Sequence, residues 1–210
     1  MGIFKKKMKK LNYNFKNKVV LITGSSEGLG YEAAKHFLIS GANLIICSRN
    51  FKKIKKAHKS LESIKKKKQK IFSISADVSK SKDVKRLLKV SLKKFKKIDI
   101  LINNAGVLGP KGHIEKINWK NWVKTIEINL LGSVLLCKSL IPHFKKKNKG
   151  KIIQLSGGGA TGPFPMFGSY AVSKAGIVRF IENLSEENKK FNIKINAVSP
   201  GILNTSMLDE

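Results

Sequence analysis

Short apolar runs alternate with helical apolar stripes along most of the chain. Runs rich in Val and Ile, bounded by polar or glycine-containing stretches, are typical of buried strands. Six such runs occur, at 19–23, 42–47, 71–75, 98–102, 151–156 and 193–198. Strands that alternate with helices predict an α/β fold, a doubly wound parallel sheet of about six strands flanked by helices with right-handed crossovers.

The stretches between these runs have apolar residues every three or four positions, which predicts helices. One helix should begin near Gly28, a second should cover 52–68, and a third should follow a Ser79 or Ser81 cap. A fourth should begin near Asn118, and a fifth should cover 169–188. The helix over 52–68 has a predicted buried stripe of Ile54, Ala57, Leu61 and Ile64. The stretch 130–144 is apolar on nearly every side, so we expect it to lie against the sheet, a partner subunit or both.

The formal net charge of +30 comes almost entirely from lysine, with arginine only at positions 49, 86 and 179. Such a charge makes nucleic-acid binding one alternative. The scarcity of arginine and the lack of interleaved aromatic residues favour a solvated lysine-rich surface instead. We therefore expect no specific nucleic-acid partner.

The remaining composition predicts a cytoplasmic protein. No apolar run reaches the ~20 residues of a membrane-spanning helix, and no secretory signal is visible, so we expect no stable membrane anchor. Cys47 and Cys137 lack metal-ligand spacing and are typical of buried thiols in a reducing compartment, so no metal site is predicted.

Three glycines lie in the turn that follows the first predicted strand, within Thr23-Gly-Ser-Ser-Glu-Gly-Leu-Gly30. Gly24 can adopt backbone angles closed to other residues, Gly28 permits close approach of a ligand, and Gly30 lets the helix pack near the strand. The free N–H groups at the start of the helix can bind a phosphate. This combination favours a dinucleotide site over an ordinary surface turn.

Residues 18–210 are thus predicted to form a single Rossmann-type dinucleotide-binding and catalytic domain. Residues 1–17 are predicted to be a basic amino-terminal extension. Its apolar residues at helical spacing are Phe4, Met8, Leu11 and Phe15. They leave open a helix lying on a membrane surface, although a disordered or packing extension is favoured.

Several polar residues follow the other predicted strands. Arg49 lies about twenty residues past the glycine turn, where a basic side chain suits the extra phosphate of NADP. We therefore expect NADP(H) to be preferred, with NAD(H) possible; an ordinary surface arginine is the alternative. Asp77 and Asn104 also follow strands, and ligands of such sheets bind beyond these strand ends.

Tyr170 and Lys174 lie four residues apart on a predicted helix and so share a face. A phenol with a pKa near 10 needs a shift of about 3 units, or ~4 kcal/mol, to exchange protons near neutrality. One ammonium about 4 Å away, at an effective dielectric constant of ~20, contributes ~4 kcal/mol. The pair can therefore serve as a proton donor and acceptor.

These motifs together resemble the short-chain dehydrogenase/reductase family, from Lys18 to the carboxyl terminus. The matching segments are Thr23–Gly30, Asp77-Val78, Asn103–Gly106, Asn129, Tyr170-x-x-x-Lys174, and Pro200-Gly201 with Thr205. The resemblance implies that Tyr170 is the catalytic acid/base and that Lys174 lowers its pKa and holds the nicotinamide ribose. It also implies that Asn129 holds a water linked to Lys174.

The resemblance further implies the cofactor-binding residues. Together with Arg49, expected from its position after the second strand, these are Thr23, Gly24, Ser26, Gly28, Leu29, Gly30, Asp77, Val78, Asn104, Ala105, Gly106, Tyr170, Lys174, Pro200, Gly201 and Thr205. Among them, Asp77 and Val78 would contact the adenine, and Asn104 would line the cofactor groove. Pro200, Gly201 and Thr205 would border the nicotinamide carboxamide.

The chain departs from the family pattern at two places. Gly157 stands where the family has an active-site serine, thirteen residues before the tyrosine. Strand alternation would turn Ser156 to the other face, but the three glycines at 157–159 can distort the strand enough for Ser156 to replace it. The chain also ends before the family's substrate-covering segment, so we expect a reduced lid.

The sequence therefore predicts an oxidoreductase that interconverts a secondary alcohol and a ketone by hydride transfer. The alternative is a protein that binds the cofactor but is catalytically silent, as a partner or regulatory subunit. The resemblance also implies a homodimer or homotetramer built on the helices at 130–144 and 169–188. The sequence does not identify the substrate.

Overall fold

The computed structural model describes residues 13–201 and confirms the predicted α/β fold class. Its strands are β1 Val19–Thr23, β2 Asn43–Ser48, β3 Ile71–Ser75, β4 Ile100–Asn103, β5 Gly150–Leu155 and β6 Ile193–Val198. All are parallel and form one sheet in the order β3-β2-β1-β4-β5-β6. The order reverses between β1 and β4, and a doubly wound sheet binds its ligand at this switch point.

Helices cover both faces of the sheet. They are α1 Gly28–Ile39, α2 Phe51–Glu62, α3 Ser81–Phe95, α4 Trp119–Ile126, α5 Gly132–Lys147 and α6 Gly168–Glu187. A short 3-10 helix, Ile114–Lys116, precedes α4, and a π-helical turn, Glu127–Leu131, joins α4 to α5. Buried residues of α1 and α2 form one apolar core with the sheet, and those of α3, α5 and α6 form the other.

The second helix is shorter than the sequence predicts. It ends at Glu62 rather than Lys68, and Ile64 lies beyond its end with 43% of its surface exposed. Beyond this end, the buried side chain of Gln69 donates to the main-chain carbonyls of Leu38 in α1 and Ala42 before β2, which fixes the segment after α2 against the fold. A tertiary contact therefore overrides the helical pattern.

The predicted serine caps of α3 are wrong. Lys80 precedes the helix and provides no side-chain cap. The hydroxyl of Ser79 instead donates to Asp77 Oδ1 at 2.7 Å. The competing carboxylate lies two residues away, where a serine hydroxyl readily reaches it.

The helical stretch Trp119–Lys147 is long and apolar enough, by length and composition, to cross a membrane. Half of its most apolar window is buried inside the fold. Leu136, Leu140 and Phe144 are completely buried in the core against the sheet. Packing against the sheet, one of the positions expected from the sequence, accounts for this apolar character.

Part of the predicted extension packs against the domain. Phe15 lies edge-on to Phe37 of α1, with 4.8 Å between ring centroids, and its amide donates to the Ser40 carbonyl at 2.7 Å. The alternative of a surface-lying membrane helix depends on Phe4, Met8 and Leu11, which lie outside the described residues.

Candidate active site

The glycine turn has the close packing that its sequence predicts. Gly24 and Gly28 have φ of +62° and +57°, a region that residues with a β-carbon rarely adopt. A β-carbon on Gly24 would lie 2.8 Å from Ala105 Cα, and one on Gly30 would overlap the Gly24 carbonyl and the Asn104 side chain. The turn is therefore a cradle of bare backbone, packed so closely against the end of β4 that a β-carbon has no room.

The amino terminus of α1 opens onto this cradle. Its preceding residue, Glu27, provides no side-chain cap, whereas Asn50 and Asn118 cap α2 and α4 with hydrogen bonds of 3.0 Å. Ser26 and Leu29 lie partly exposed at the same end. The uncapped N–H groups and the bare glycine backbone fit the pyrophosphate of a dinucleotide.

Asn104 fastens the glycine turn to the end of β4. Its side-chain amide donates to the carbonyls of Thr23 and Gly24, each at 3.0 Å. In return, the buried hydroxyl of Thr23 accepts from the amides of Asn104 and Ala105, at 3.1 and 3.0 Å. Asn104 thus fixes the shape of the cradle, a role that the sequence pattern does not reveal.

Arg49 and Asp77 lie at the ends of neighbouring strands. Arg49 is exposed, and its carbonyl accepts from Ser75 at 3.0 Å. Burial alone would raise the pKa of Asp77, but hydrogen bonds from Ser79 and the charges of Lys124 and Arg49 hold it below its usual value. Asp77 is therefore a carboxylate at neutral pH.

Glu27 in the glycine turn is an acidic residue that no sequence motif singles out. Its carboxylate accepts from Lys53 of α2 at 2.8 and 3.0 Å. Strand pairing and the crossover bring these residues together across 26 positions of sequence, so no local pattern could reveal the pair. Lys53 neutralises the charge of Glu27 beside the turn.

The residues that follow Asp77 and Asn104 pack inward. Val78 is 5% exposed, and a β-carbon on Gly132 would lie 2.9 Å from its side chain. Ala105 and Gly106 are half-buried, and a β-carbon on Gly106 would lie 3.3 Å from Asn129 Oδ1. These small contacts set the distance between β4 and the π-helical turn.

Asn129 lies in the π-helical turn and is 1% exposed. Its Oδ1 accepts from the Val107 amide, and its Nδ2 donates to the Val107 carbonyl, both at 2.8 Å. Nδ2 also donates to Ser173 Oγ at 3.1 Å. Asn129 therefore joins the loop after β4 to α6, the helix that carries Tyr170 and Lys174.

Tyr170 and Lys174 face the same site, as their spacing predicts. The ammonium of Lys174 lies 5.3 Å from the centroid of the Tyr170 ring and donates to the Leu155 carbonyl at 3.1 Å. Lys174 is only 5% exposed. The buried ammonium of Lys174 thus faces the ring of the half-buried Tyr170 near the end of β5.

In the protein alone, burial moves the pKa values of Lys174 and Tyr170 apart. Burial lowers the pKa of Lys174 to about 8. Burial also raises the pKa of Tyr170, opposite to the lowering expected from Lys174. The ammonium of Lys174 lies over the Tyr170 ring and donates its hydrogen bond to the Leu155 carbonyl.

The end of β5 places Gly157, not Ser156, against the tyrosine. A β-carbon on Gly157 would overlap the Tyr170 hydroxyl. Ser156 is 6% exposed, and its hydroxyl is buried without a hydrogen-bond partner among residues 13–201. The structure therefore brings Tyr170, Lys174 and Gly157 together and leaves the hydroxyl of Ser156 unpaired.

Aromatic residues of the loop before α6 lie beside Tyr170. Phe164 stacks on Phe167 with 4.8 Å between centroids and lies 6.2 Å from the Tyr170 ring. Met166 adopts φ of +69° and is 37% exposed. These side chains make the surroundings of the Tyr170 ring partly apolar.

The last predicted cofactor residues follow β6. Pro200 and Gly201 are exposed, and Gly201 adopts φ of +77°. Thr205 lies outside the described residues. The described part of the site thus places its backbone cradle at β1, the Tyr170–Lys174 pair near the end of β5, and Pro200-Gly201 beyond β6.

A family model matches nearly the whole chain. The model of the short chain dehydrogenases matches residues 18–210. The chain belongs to the short-chain dehydrogenase/reductase family. It is an oxidoreductase that uses a nicotinamide cofactor.

Curated relatives agree with this membership. Dehydrogenase/reductase SDR family member 4 of Caenorhabditis elegans is 32% identical over 92% of this chain and 74% of its own length. The chloroplastic chlorophyll(ide) b reductase of Oryza sativa is 35% identical over 90% of this chain, which spans 57% of that relative. The chain is thus shorter than both proteins.

Solved structures share the fold and differ in their cofactors. Levodione reductase superposes with a TM-score of 0.89 at 26% identity, over 93% of this chain and 76% of that one. A ketoacyl-(acyl-carrier-protein) reductase from Brucella melitensis, complexed with NADH, gives 0.86 at 29% identity, over 92% and 79%. An actinorhodin polyketide ketoreductase variant with NADPH gives 0.85 at 25% identity, over 90% and 71%.

Proposed function

We propose that this oxidoreductase interconverts a secondary alcohol and a ketone, with Tyr170 as the acid/base. The observation that carries the proposal is the buried Lys174 ammonium beneath the half-buried Tyr170 phenol. The nicotinamide supplies or accepts the hydride. Tyr170 gives a proton to the oxygen of the ketone in one direction and takes it from the alcohol in the other.

Lys174 contributes its charge to this proton transfer. Its ammonium donates to the Leu155 carbonyl, which fixes its position, and its burial strengthens its field at the phenol. Asn129 supports the pair by binding Ser173, the residue before Lys174. We propose that Asn129 and the site's main chain also hold water next to Lys174.

NADP(H) is the cofactor that the charges favour. Arg49 is exposed at the end of β2, and Lys53 neutralises Glu27 beside the glycine turn. The surroundings of the adenosine ribose are therefore net positive, which suits a further phosphate. NAD(H) remains compatible with the same backbone cradle.

A substitution of Tyr170 tests the proposal. Tyr170→Phe should lower turnover of a ketone panel by about 10²–10⁴-fold, the usual contribution of general acid–base catalysis, with little change in NADPH affinity. Tyr31→Phe is the matched control, because it removes a phenol that binds only Ser60 at the surface. Unchanged turnover in Tyr170→Phe would contradict the proposal.

A cofactor-binding but silent protein is the second candidate, and Gly157 favours it. The residue beside the Tyr170 hydroxyl offers no hydroxyl of its own, and loss of one such donor costs about 2.7–4 kcal/mol of transition-state stabilisation in other enzymes. NADPH binding without turnover of any ketone or alcohol in the panel would support this candidate. Measured turnover would exclude it.

We also propose that the protein is a cytoplasmic homo-oligomer. The surface of the π-helical turn and α6 exposes Leu131 and Val172, by 53% and 51%. The free thiols of Cys47 and Cys137 suit a reducing compartment. Sedimentation of the wild type and of Val172→Lys, which should weaken such an interface, tests the assembly.

A further inference from the structure

The strand β3 forms one edge of the sheet, and its outer backbone groups can be identified. In the ladder with β2, Leu44 donates to the Lys70 carbonyl and Ala76 donates to the Ser48 carbonyl. Because a parallel ladder alternates, the amides of residues 72, 74 and 76 face β2. The amides and carbonyls of Ile71, Ser73 and Ser75 therefore point away from the sheet.

This edge is protected at one end only. Arg86 of α3 donates to the Ser75 carbonyl at 2.6 Å and to Asp83 at 3.2 Å. The register between β2 and β3 is unbroken from Ile71 to Ser75 and contains neither a bulge nor a proline. Such features usually block the edges of natural sheets, so within the described residues the edge at Ser73 is open to pairing.

The edge lies in a groove of about 610 Å³ between α2 and α3. Its apolar lining includes Phe51, which is 63% exposed, together with Phe72 and Ile74 of β3 itself. The groove therefore combines apolar contact area with unpaired backbone donors and acceptors.

The walls of this groove are basic. Exposed lysines of α2 line it or flank it, at positions 52, 55, 56 and 59. Lys55 lies 6.0 Å from the centroid of Phe51, and Lys94 lies 5.0 Å from that of Phe72. The acids nearby are already paired, Asp83 with Arg86 and Glu62 with Lys65. An occupant of the groove should therefore be anionic.

We propose that the β3 edge is a docking site for an extended acidic peptide segment of a partner protein, which adds a seventh strand to the sheet. Main-chain hydrogen bonds to the outward amide and carbonyl of Ser73 would hold the peptide. Its alternate side chains would contact Phe51 and the α2 lysines on one face of the sheet, and Phe72 and Lys94 on the other. Backbone groups that repeat at strand spacing match a peptide and not the phosphates of a nucleic acid.

Substitution of Ser73 separates backbone pairing from simple charge attraction. Ser73→Pro removes the outward amide without removing a hydrogen bond to β2, so the sheet should remain intact. Ser73→Thr is the matched control because it keeps the amide. A fluorescent peptide of alternating valine and glutamate is the probe, titrated at physiological salt and followed by anisotropy.

We expect the probe to bind wild type and Ser73→Thr equally, and Ser73→Pro about tenfold or more weakly, the effect of one or two hydrogen bonds. The same peptide N-methylated on alternate amides should lose binding to the wild type, a test independent of the variant's folding. Amide hydrogen exchange at Ser73 should slow on binding of the unmodified peptide.

Three results would overturn the proposal. The first is no binding of the probe at physiological salt. The second is binding that neither N-methylation nor Ser73→Pro weakens, which would show attraction by charge alone. The third is displacement of the probe by a single-stranded oligonucleotide that binds Ser73→Pro and wild type equally, which would assign the groove to nucleic acid.

Discussion

The hydroxyl of Tyr170 lies directly against the α-carbon of Gly157, so closely that a β-carbon at residue 157 would overlap it. The end of β5 therefore contributes bare backbone to the proposed reaction centre. A β-carbon in that space should move the phenol, because the preceding residue, Ser156, is held by its amide hydrogen bond to the Val198 carbonyl at 2.9 Å.

We accordingly expect Gly157→Ala to lower turnover through a displaced Tyr170. Gly158→Ala is the control, because its β-carbon would make an ordinary contact of 3.4 Å with Phe164. Steady-state kinetics of both variants, with NADPH affinity measured in parallel, check the prediction. Equal turnover in the two variants would show that the Tyr170 hydroxyl does not need this space.

A second prediction concerns Gly30. Gly30→Ala would push a methyl group into Asn104 and the Gly24 carbonyl, and overpacking of this kind costs about 1–3 kcal/mol. We expect a lower free energy of unfolding and weaker cofactor binding, measured by urea denaturation and by fluorescence titration. Gly162→Ala, where no atom lies within 4 Å of the added carbon, should change neither.

A third prediction follows from the buried ammonium of Lys174. Its pKa is lowered from 10.5 to about 8 in the folded protein, so between these values the unfolded chain binds more protons. The stability contribution of Lys174 therefore rises with pH across this window, by about 3 kcal/mol in total. Below pH 8 the full cost of burying the charge is present.

The difference in unfolding free energy between Lys174→Met and the wild type isolates this effect. We expect the gain in unfolding free energy of Lys174→Met over the wild type to be largest at pH 7 and to fall progressively as the pH approaches 10. Lys189→Met, which removes a side chain that is 77% exposed, should show a flat difference over the same range. A flat difference for Lys174→Met would mean that the ammonium is better solvated than its burial indicates.

A fourth prediction concerns the choice of cofactor. Arg49→Asp should weaken NADPH binding more than NADH binding, because it places a carboxylate where we propose that the extra phosphate lies. Arg179→Gln is the control, since Arg179 is exposed on α6 and pairs with Glu182. Equal losses for the two cofactors in Arg49→Asp would place the phosphate elsewhere.

The sequence predicted the fold well because its strongest signals are local. The apolar runs and glycine turn predicted all six strands, with boundaries that shifted by two residues or fewer at each end. The spacing of Tyr170 and Lys174 likewise predicted a shared face, since helix geometry alone determines it. Errors arose where contacts between distant residues matter. After α2, for example, Gln69 binds main-chain carbonyls 27 and 31 residues earlier in the chain.

The sequence by itself determined the α/β fold, the glycine cradle and the Tyr170–Lys174 pair, because each depends on the periodicity of one strand or helix. Only the tertiary structure decided that Lys53 neutralises Glu27, that Asn104 fastens the cradle, and that burial raises the pKa of Tyr170. These three features depend on distances and desolvation between segments far apart in the chain, and no local pattern encodes them.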